Sequence, residues 1–89
     1  MIRLSQAVIG DKGRIVEVRT EADDKSHGVD VDELQRRLLE FGFVEDAHVE
    51  LLHEGLFRRD PIAVRLDDMR VALRRHDAHE VLVRLDDDA

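Results

Sequence analysis

Residues 58–73 read RRDPIAVRLDDMRVAL. Two short runs in this stretch alternate apolar and polar residues about an Asp67-Asp68 pair, and Asp60-Pro61 opens the first run. Alternation on both sides of a two-residue polar turn predicts a β-hairpin. Successive strand side chains point to opposite faces. One face therefore takes Ile62, Val64, Leu66, Met69, Val71 and Leu73 inward. The other carries Ala63, Arg65, Arg70 and Ala72 outward.

Working outward, residues 14–19 (RIVEVR) predict a strand with Val16 and Val18 on one face and Glu17 on the other. Residues 20–29 are polar and glycine-containing and read as a loop. Asp32 is a suitable N-cap, with Gln35 in the capping-box position three residues on. Leu34, Leu38, Leu39 and Phe41 follow at roughly helical spacing, and Gly42 suits the left-handed position after a helix. The spacing predicts a helix over 33–41, too short to stand alone in water and so held by laying its leucines on a sheet. Residues 47–53 alternate again as a strand, with His48 and His53 expected on opposite faces. Residues 54–59 (EGLFRR) read as a loop, 76–80 as one helical turn, and 81–85 as a last strand. The acidic tail 86–88 is expected to fray.

The chain has 89 residues, enough for one domain over 1–89 that buries only about 60–65% of its unfolded surface. It has no cysteine, tryptophan or tyrosine and three phenylalanines, so the core is aliphatic, and thiolate metal sites are excluded. The formal net charge is −7, which repels a phosphate backbone, and no aromatics are spaced to stack bases, so nucleic acid is not an expected partner. The charge is uneven: residues 58–75 hold six arginines and three aspartates. A basic face on an acidic body suits an acidic or phosphate-bearing partner, although arginines also alternate with apolar residues on any solvated outer strand face. No apolar run is long enough to span a membrane, and the first residues lack the apolar core of a signal peptide. A cytoplasmic chain with no membrane insertion is expected. Composition leaves the oligomeric state open, and a weak homo-oligomer is compatible with it.

Five short strands and one helix cannot form an open sheet with an adequate core. Closing into a small barrel removes the edges and encloses an aliphatic centre. Periodicity alone leaves an SH3-like and an OB-like barrel as rivals. The wording decides between them. An early Leu4 and Gly10 lead into a valine-rich strand; RRLLEFGFVEDAHVEL (36–51), DPIAVRL (60–66) and VALRR (71–75) follow in order. In order and spacing these resemble the FeoA family, small proteins of bacterial ferrous iron uptake. The resemblance covers most of the chain. It implies a mainly β fold, a small SH3-like barrel of about five strands with one inserted α-helix. It implies a cytosolic accessory or regulatory role exerted by binding the membrane transporter FeoB. The same domain type is appended to DtxR-like metal-dependent repressors; no helix-turn-helix precedes it here, so the free-standing form is expected. The chain departs from the family at the segment before Asp60-Pro61, which is often glycine-rich there, and at the Asp67-Asp68 turn, which often carries glycine.

No enzymatic constellation is present: there is no P-loop, no G-x-G-x-x-G and no G-x-S-x-G, and Ser5 and Ser26 stand in polar surroundings. A non-enzyme with no obligatory cofactor is expected. The one dense titratable cluster is RRHDAHE (74–80). On a helical turn His76, His79 and Glu80 share a face and could hold Zn²⁺ or Fe²⁺ weakly, which makes a divalent-metal-sensing or metal-carrying module the alternative function. The same residues also suit a plain exposed polar turn. Leu56 and Phe57 stand beside Arg58 and Arg59. They would serve either as a plug folded into the barrel or as an exposed apolar anchor with a basic rim, the pattern of a binding hot spot. These four residues, with Arg65, Arg70 and Arg74 of the hairpin's outer face, are the candidate partner-binding set.

Overall fold

The computed structural model describes residues 1–19 and 31–86; the expected loop over 20–29 and most of the acidic tail 86–88 lie outside the described residues. Among the described residues six antiparallel strands form one sheet: β1 (Ile2–Arg3), β2 (Lys12–Val18), β3 (His48–Phe57), β4 (Asp60–Leu66), β5 (Met69–Leu73) and β6 (Val81–Leu85), in the order β1-β6-β2-β3-β4-β5. A 3-10 turn, Leu4–Gln6, follows β1. Helix α1 (Val31–Phe41) lies between β2 and β3, and the one-turn helix α2 (Arg75–Ala78) between β5 and β6. The strand beyond the expected five is β1, whose two residues are too short to show any alternation.

The β4–β5 hairpin matches its sequence. Ile62 pairs with Leu73 and Leu66 with Met69 across Asp67-Asp68. Asp67 takes a left-handed φ of 52°, which aspartate tolerates better than most residues. Its N–H donates to the His48 carbonyl at 2.8 Å, and its Oδ1 accepts the His48 N–H at 3.0 Å, so the turn also ties down the start of β3. Ile62, Val64, Leu66 and Leu73 are buried. Met69 is not: at the turn end of the terminal strand it is 53% exposed.

Three register shifts interrupt the pairing, between Ile15 and Glu17, Leu51 and His53, and Glu54 and Phe57. Each bulge adds a residue, bends its strand and increases the local twist, which curves so small a sheet. The bulges also move side chains. In β2 the inward residues are Ile15 and Val18, with Val16 half-buried, because the alternation slips at the bulge. In β3 the slip returns His53 to the outer face shared by His48 and Glu50, correcting the expectation of opposite faces.

Helix α1 begins at Val31, so Asp32 lies inside it rather than capping it. Its C-terminus is as expected. Gly42 has a φ of 111°, its N–H donates to the Leu39 carbonyl at 3.0 Å, and the Phe43 N–H donates to the Leu38 carbonyl at 3.1 Å. These two bonds make a Schellman motif, and Phe43 and Leu38, both buried, are its apolar pair. The motif turns the chain so that Phe43 enters the core, while Leu39 and Phe41 stay about half exposed. Gln35 donates to the Val18 carbonyl at 3.3 Å and ties the helix to β2.

The buried side chains form one cluster, from Leu4 and Ala7 through Ile15, Leu38, Phe43, Val49, Leu51, Ile62, Val64 and Leu66 to Val81 and Val83. The end strands β1 and β5 are not hydrogen-bonded to each other. Side chains link the segment after β1 to helix α2 instead, and Arg3 Nη1 adds a bond to the His79 carbonyl at 3.0 Å. Arg75, the first residue of α2, sends Nη1 to the Ser5 carbonyl at 2.6 Å and to the Ala7 carbonyl at 3.4 Å.

Candidate functional site

The segment 54–59 is a hairpin end, not a loop. Strand β3 continues to Phe57, which pairs with Asp60, and Arg58 and Arg59 form a two-residue turn. Both arginines are left-handed, with φ of 60° and 61°. Such a turn normally takes Asn-Gly, and each non-glycine residue there costs on the order of 1 kcal/mol. Gly55 is obligatory for a different reason: the bulge brings the Asp60 carbonyl over it, so a Cβ would collide with that group and come within 2.9 Å of the Pro61 nitrogen.

Arg75 holds the turn from below. Its Nε donates to the Arg59 carbonyl at 2.7 Å, its backbone N–H to Asp60 Oδ1 at 2.8 Å, and its Nη2 to Glu54 Oε1 at 2.8 Å. The same Glu54 oxygen accepts from Arg59 Nε at 3.3 Å. The Arg75–Glu54 pair is mostly shielded, with side chains 17% and 19% exposed, whereas Arg59 is solvated. Sequence reasoning passed over Arg75 because one arginine among six nearby carries no local signal. Its partners lie 15 to 70 residues away.

The tip of this hairpin is apolar. Leu56 is fully exposed and Phe57 is 79% exposed, so neither plugs the barrel. The Arg58 guanidinium lies 6.0 Å from the centroid of the Phe57 ring, at the outer limit of a cation–π contact. Ser5, Arg58, Arg59 and Arg75 line an open cleft of about 250 Å³ beside the tip. The structure therefore unites Leu56, Phe57, Arg58 and Arg59. Arg74 follows Leu73, which pairs with Ile62 near the tip end of β4. Arg65 and Arg70 pair with each other at the opposite end of β4, on the outer face, where Arg65 Nη1 meets Glu50 Oε1 at 3.4 Å. The seven candidate residues are thus one compact tip, one neighbour and one separate pair.

His76, His79 and Glu80 do not converge. Among the described residues no three His, Asp or Glu side chains are grouped to hold a metal ion. Helix α2 ends at Ala78, so the helical spacing does not run through Glu80. His79 Nδ1 lies 3.3 Å from Ser5 Oγ, and Glu80 Oε2 is buried without a hydrogen-bond partner among the described residues. Dialysis against EDTA is expected to leave the urea midpoint unmoved. Zinc taken up by the chain should be lost in the double variant His76→Ala/His79→Ala. Stoichiometric zinc persisting in that variant would place a site elsewhere.

A sheet in this order, with a helix between its second and third strands and a bonded tip, defines a class of small SH3-like barrels. The family model for the FeoA domain matches residues 2–85, and the chain belongs to this family, which is associated with ferrous iron transport. The FeoA of Stenotrophomonas maltophilia, solved in complex with zinc, superposes with a TM-score of 0.72 at 27% identity, covering 94% of this chain and 91% of that one. It is described as a prokaryotic SH3 domain protein and a candidate activating factor of bacterial ferrous iron transport. The FeoA of Chlorobium tepidum gives a TM-score of 0.72 at 26% identity over 94% of this chain and 70% of that one. A manganese-dependent transcriptional repressor shares the fold at 22% identity and a TM-score of 0.70, over 91% of this chain and 39% of its own. No curated protein sequence matches the chain. No helix among the described residues is long and apolar enough to cross a membrane.

Proposed function

We propose that this chain is a cytosolic accessory protein of ferrous iron uptake that acts without catalysis, docking through the hairpin tip onto the cytosolic side of the transporter FeoB and so supporting or regulating transport. One observation carries the reading. Leu56 and Phe57 are presented to solvent at the end of a hairpin whose turn, Arg58-Arg59, is held in a left-handed conformation that arginine does not favour. A strained turn maintained by surrounding bonds is characteristic of functional sites. An apolar centre with a charged rim is the anatomy of a binding hot spot. Family membership supplies the association with ferrous iron transport. Arg74, beside the tip, extends its basic rim, while Arg65 and Arg70 form a secondary basic face.

Cells lacking their own copy of this gene, grown with ferrous iron limiting, test the role in vivo. The wild-type chain is expected to restore growth and Phe57→Ala to restore little of it at equal protein level. Arg58→Ala should fall between them. Full restoration by Phe57→Ala would move the docking surface away from the tip.

A further inference from the structure

The end of the barrel opposite the tip carries a second exposed apolar patch. Phe41 is 47% exposed, Val44 46% and Met69 53%; Phe41 and Val44 lie within two residues of Gly42 in the chain, and the Gly42 side-chain position faces Leu66 at 3.3 Å and Met69 at 4.0 Å. The rim of this patch is acidic. Glu40, Glu45, Asp46 and Asp68 are exposed, and among the described residues none of their carboxylates has a hydrogen bond or ion pair. Three arginines lie nearby: Arg37, one helical turn before Phe41, Arg70, on the outer face of β5, and the exposed Arg14, next to Ile15, whose carbonyl accepts the Asp46 N–H at 2.8 Å. The four unpaired carboxylates outnumber them.

The two surfaces are complementary. The tip offers Leu56 and Phe57 with a basic rim, and the Arg58 guanidinium has no ion pair among the described residues. The patch offers exposed apolar groups with an acidic rim. Both lie at the ends of β4, whose seven residues separate them by about 20 Å, so they cannot meet within one chain. We propose that the occupant of the patch is the tip of a second copy, so that the protein self-associates head to tail. Such a contact uses a different patch from each copy and grows into an open chain unless its rotation closes a ring. The net charge of −7 repels two copies at long range. At physiological salt that repulsion is screened beyond about 8 Å, while the contact charges lie within that distance. Because the tip is also the proposed transporter surface, self-association would hold it in reserve. The self-contact nonetheless stands apart from that reading, since it needs only the purified chain.

Sedimentation velocity over a concentration series into the millimolar range tests it. The wild type is expected to show a weight-average mass that climbs with concentration. Phe57→Ser, which spoils the tip, and Phe41→Ser, which spoils the patch, should each weaken association at least tenfold. Glu45→Arg, an exposed charge reversal, should do the same without touching the apolar groups. Mixing Phe57→Ser with Phe41→Ser should restore a one-to-one pair that grows no further, because each variant keeps the surface the other lacks. A wild type that stays monomeric throughout the series overturns the proposal. So does a mixture that fails to pair while the wild type associates, since the contact would then use one patch twice or lie elsewhere.

Discussion

Arg75→Ala is expected to lower the urea midpoint sharply, with a loss of roughly 2–4 kcal/mol. The guanidinium bonds the Ser5, Ala7 and Arg59 carbonyls and Glu54 Oε1, so one side chain ties the turn after β1 to helix α2 and holds the tip turn. Removing it leaves a shielded carboxylate and three carbonyls to find water. A small domain has only about 5–15 kcal/mol of stability in total, and this one sits at the low end of the size range. Arg75→Lys should recover only part of the loss, because one ammonium cannot reproduce a planar fork that reaches in several directions. The slope of unfolding against urea should stay the same while the midpoint falls. Coincident midpoints for wild type and Arg75→Ala would show that other contacts hold the turn after β1 to helix α2.

Phe43→Ala is expected to cost about 3–5 kcal/mol, a large share of the stability of so small a domain. Phe43 has no solvent exposure and closes the helix terminus against Leu38. The neighbouring Phe41→Ala should cost under about 1 kcal/mol, since Phe41 is nearly half exposed. Thermal or urea unfolding of the two variants side by side reads the difference directly. Equal losses would mean that the turn after Gly42 does not direct the chain as described.

These two phenylalanines show where sequence periodicity stops. A period of 3.6 is legible within the helix, and it marks Leu34 and Leu38 correctly. It cannot carry past Gly42, where the Schellman bonds reverse the chain and exchange Phe41 for Phe43 at the core. The β4–β5 hairpin was legible because nothing interrupts its alternation and its turn is short and polar. Strands β2 and β3 were less so, since a bulge leaves no mark in composition yet shifts every later side chain to the other face. That is why Val16 read as inward and Ile15 did not. It is also why 54–59 read as a loop: the bulge at Gly55 and two arginines in a turn suited to Asn-Gly conceal a hairpin end. Leu56 and Phe57 stood out as an apolar pair beside charge, but only the fold shows that both point to solvent. Arg75 carried no signal, because its role is made of bonds to backbone carbonyls that become neighbours when the barrel closes.

The central claim is that the tip binds FeoB, and titration of the purified transporter with folded wild type, Phe57→Ala and Arg58→Ala tests it most directly. Burying a phenylalanine side chain is worth roughly 1.5–3 kcal/mol. Phe57→Ala is therefore predicted to weaken binding by about ten- to a hundredfold, with its urea midpoint unchanged. Arg58→Ala should mainly slow association and reduce its dependence on salt. An affinity for Phe57→Ala equal to that of the wild type, with both proteins folded, would contradict the account.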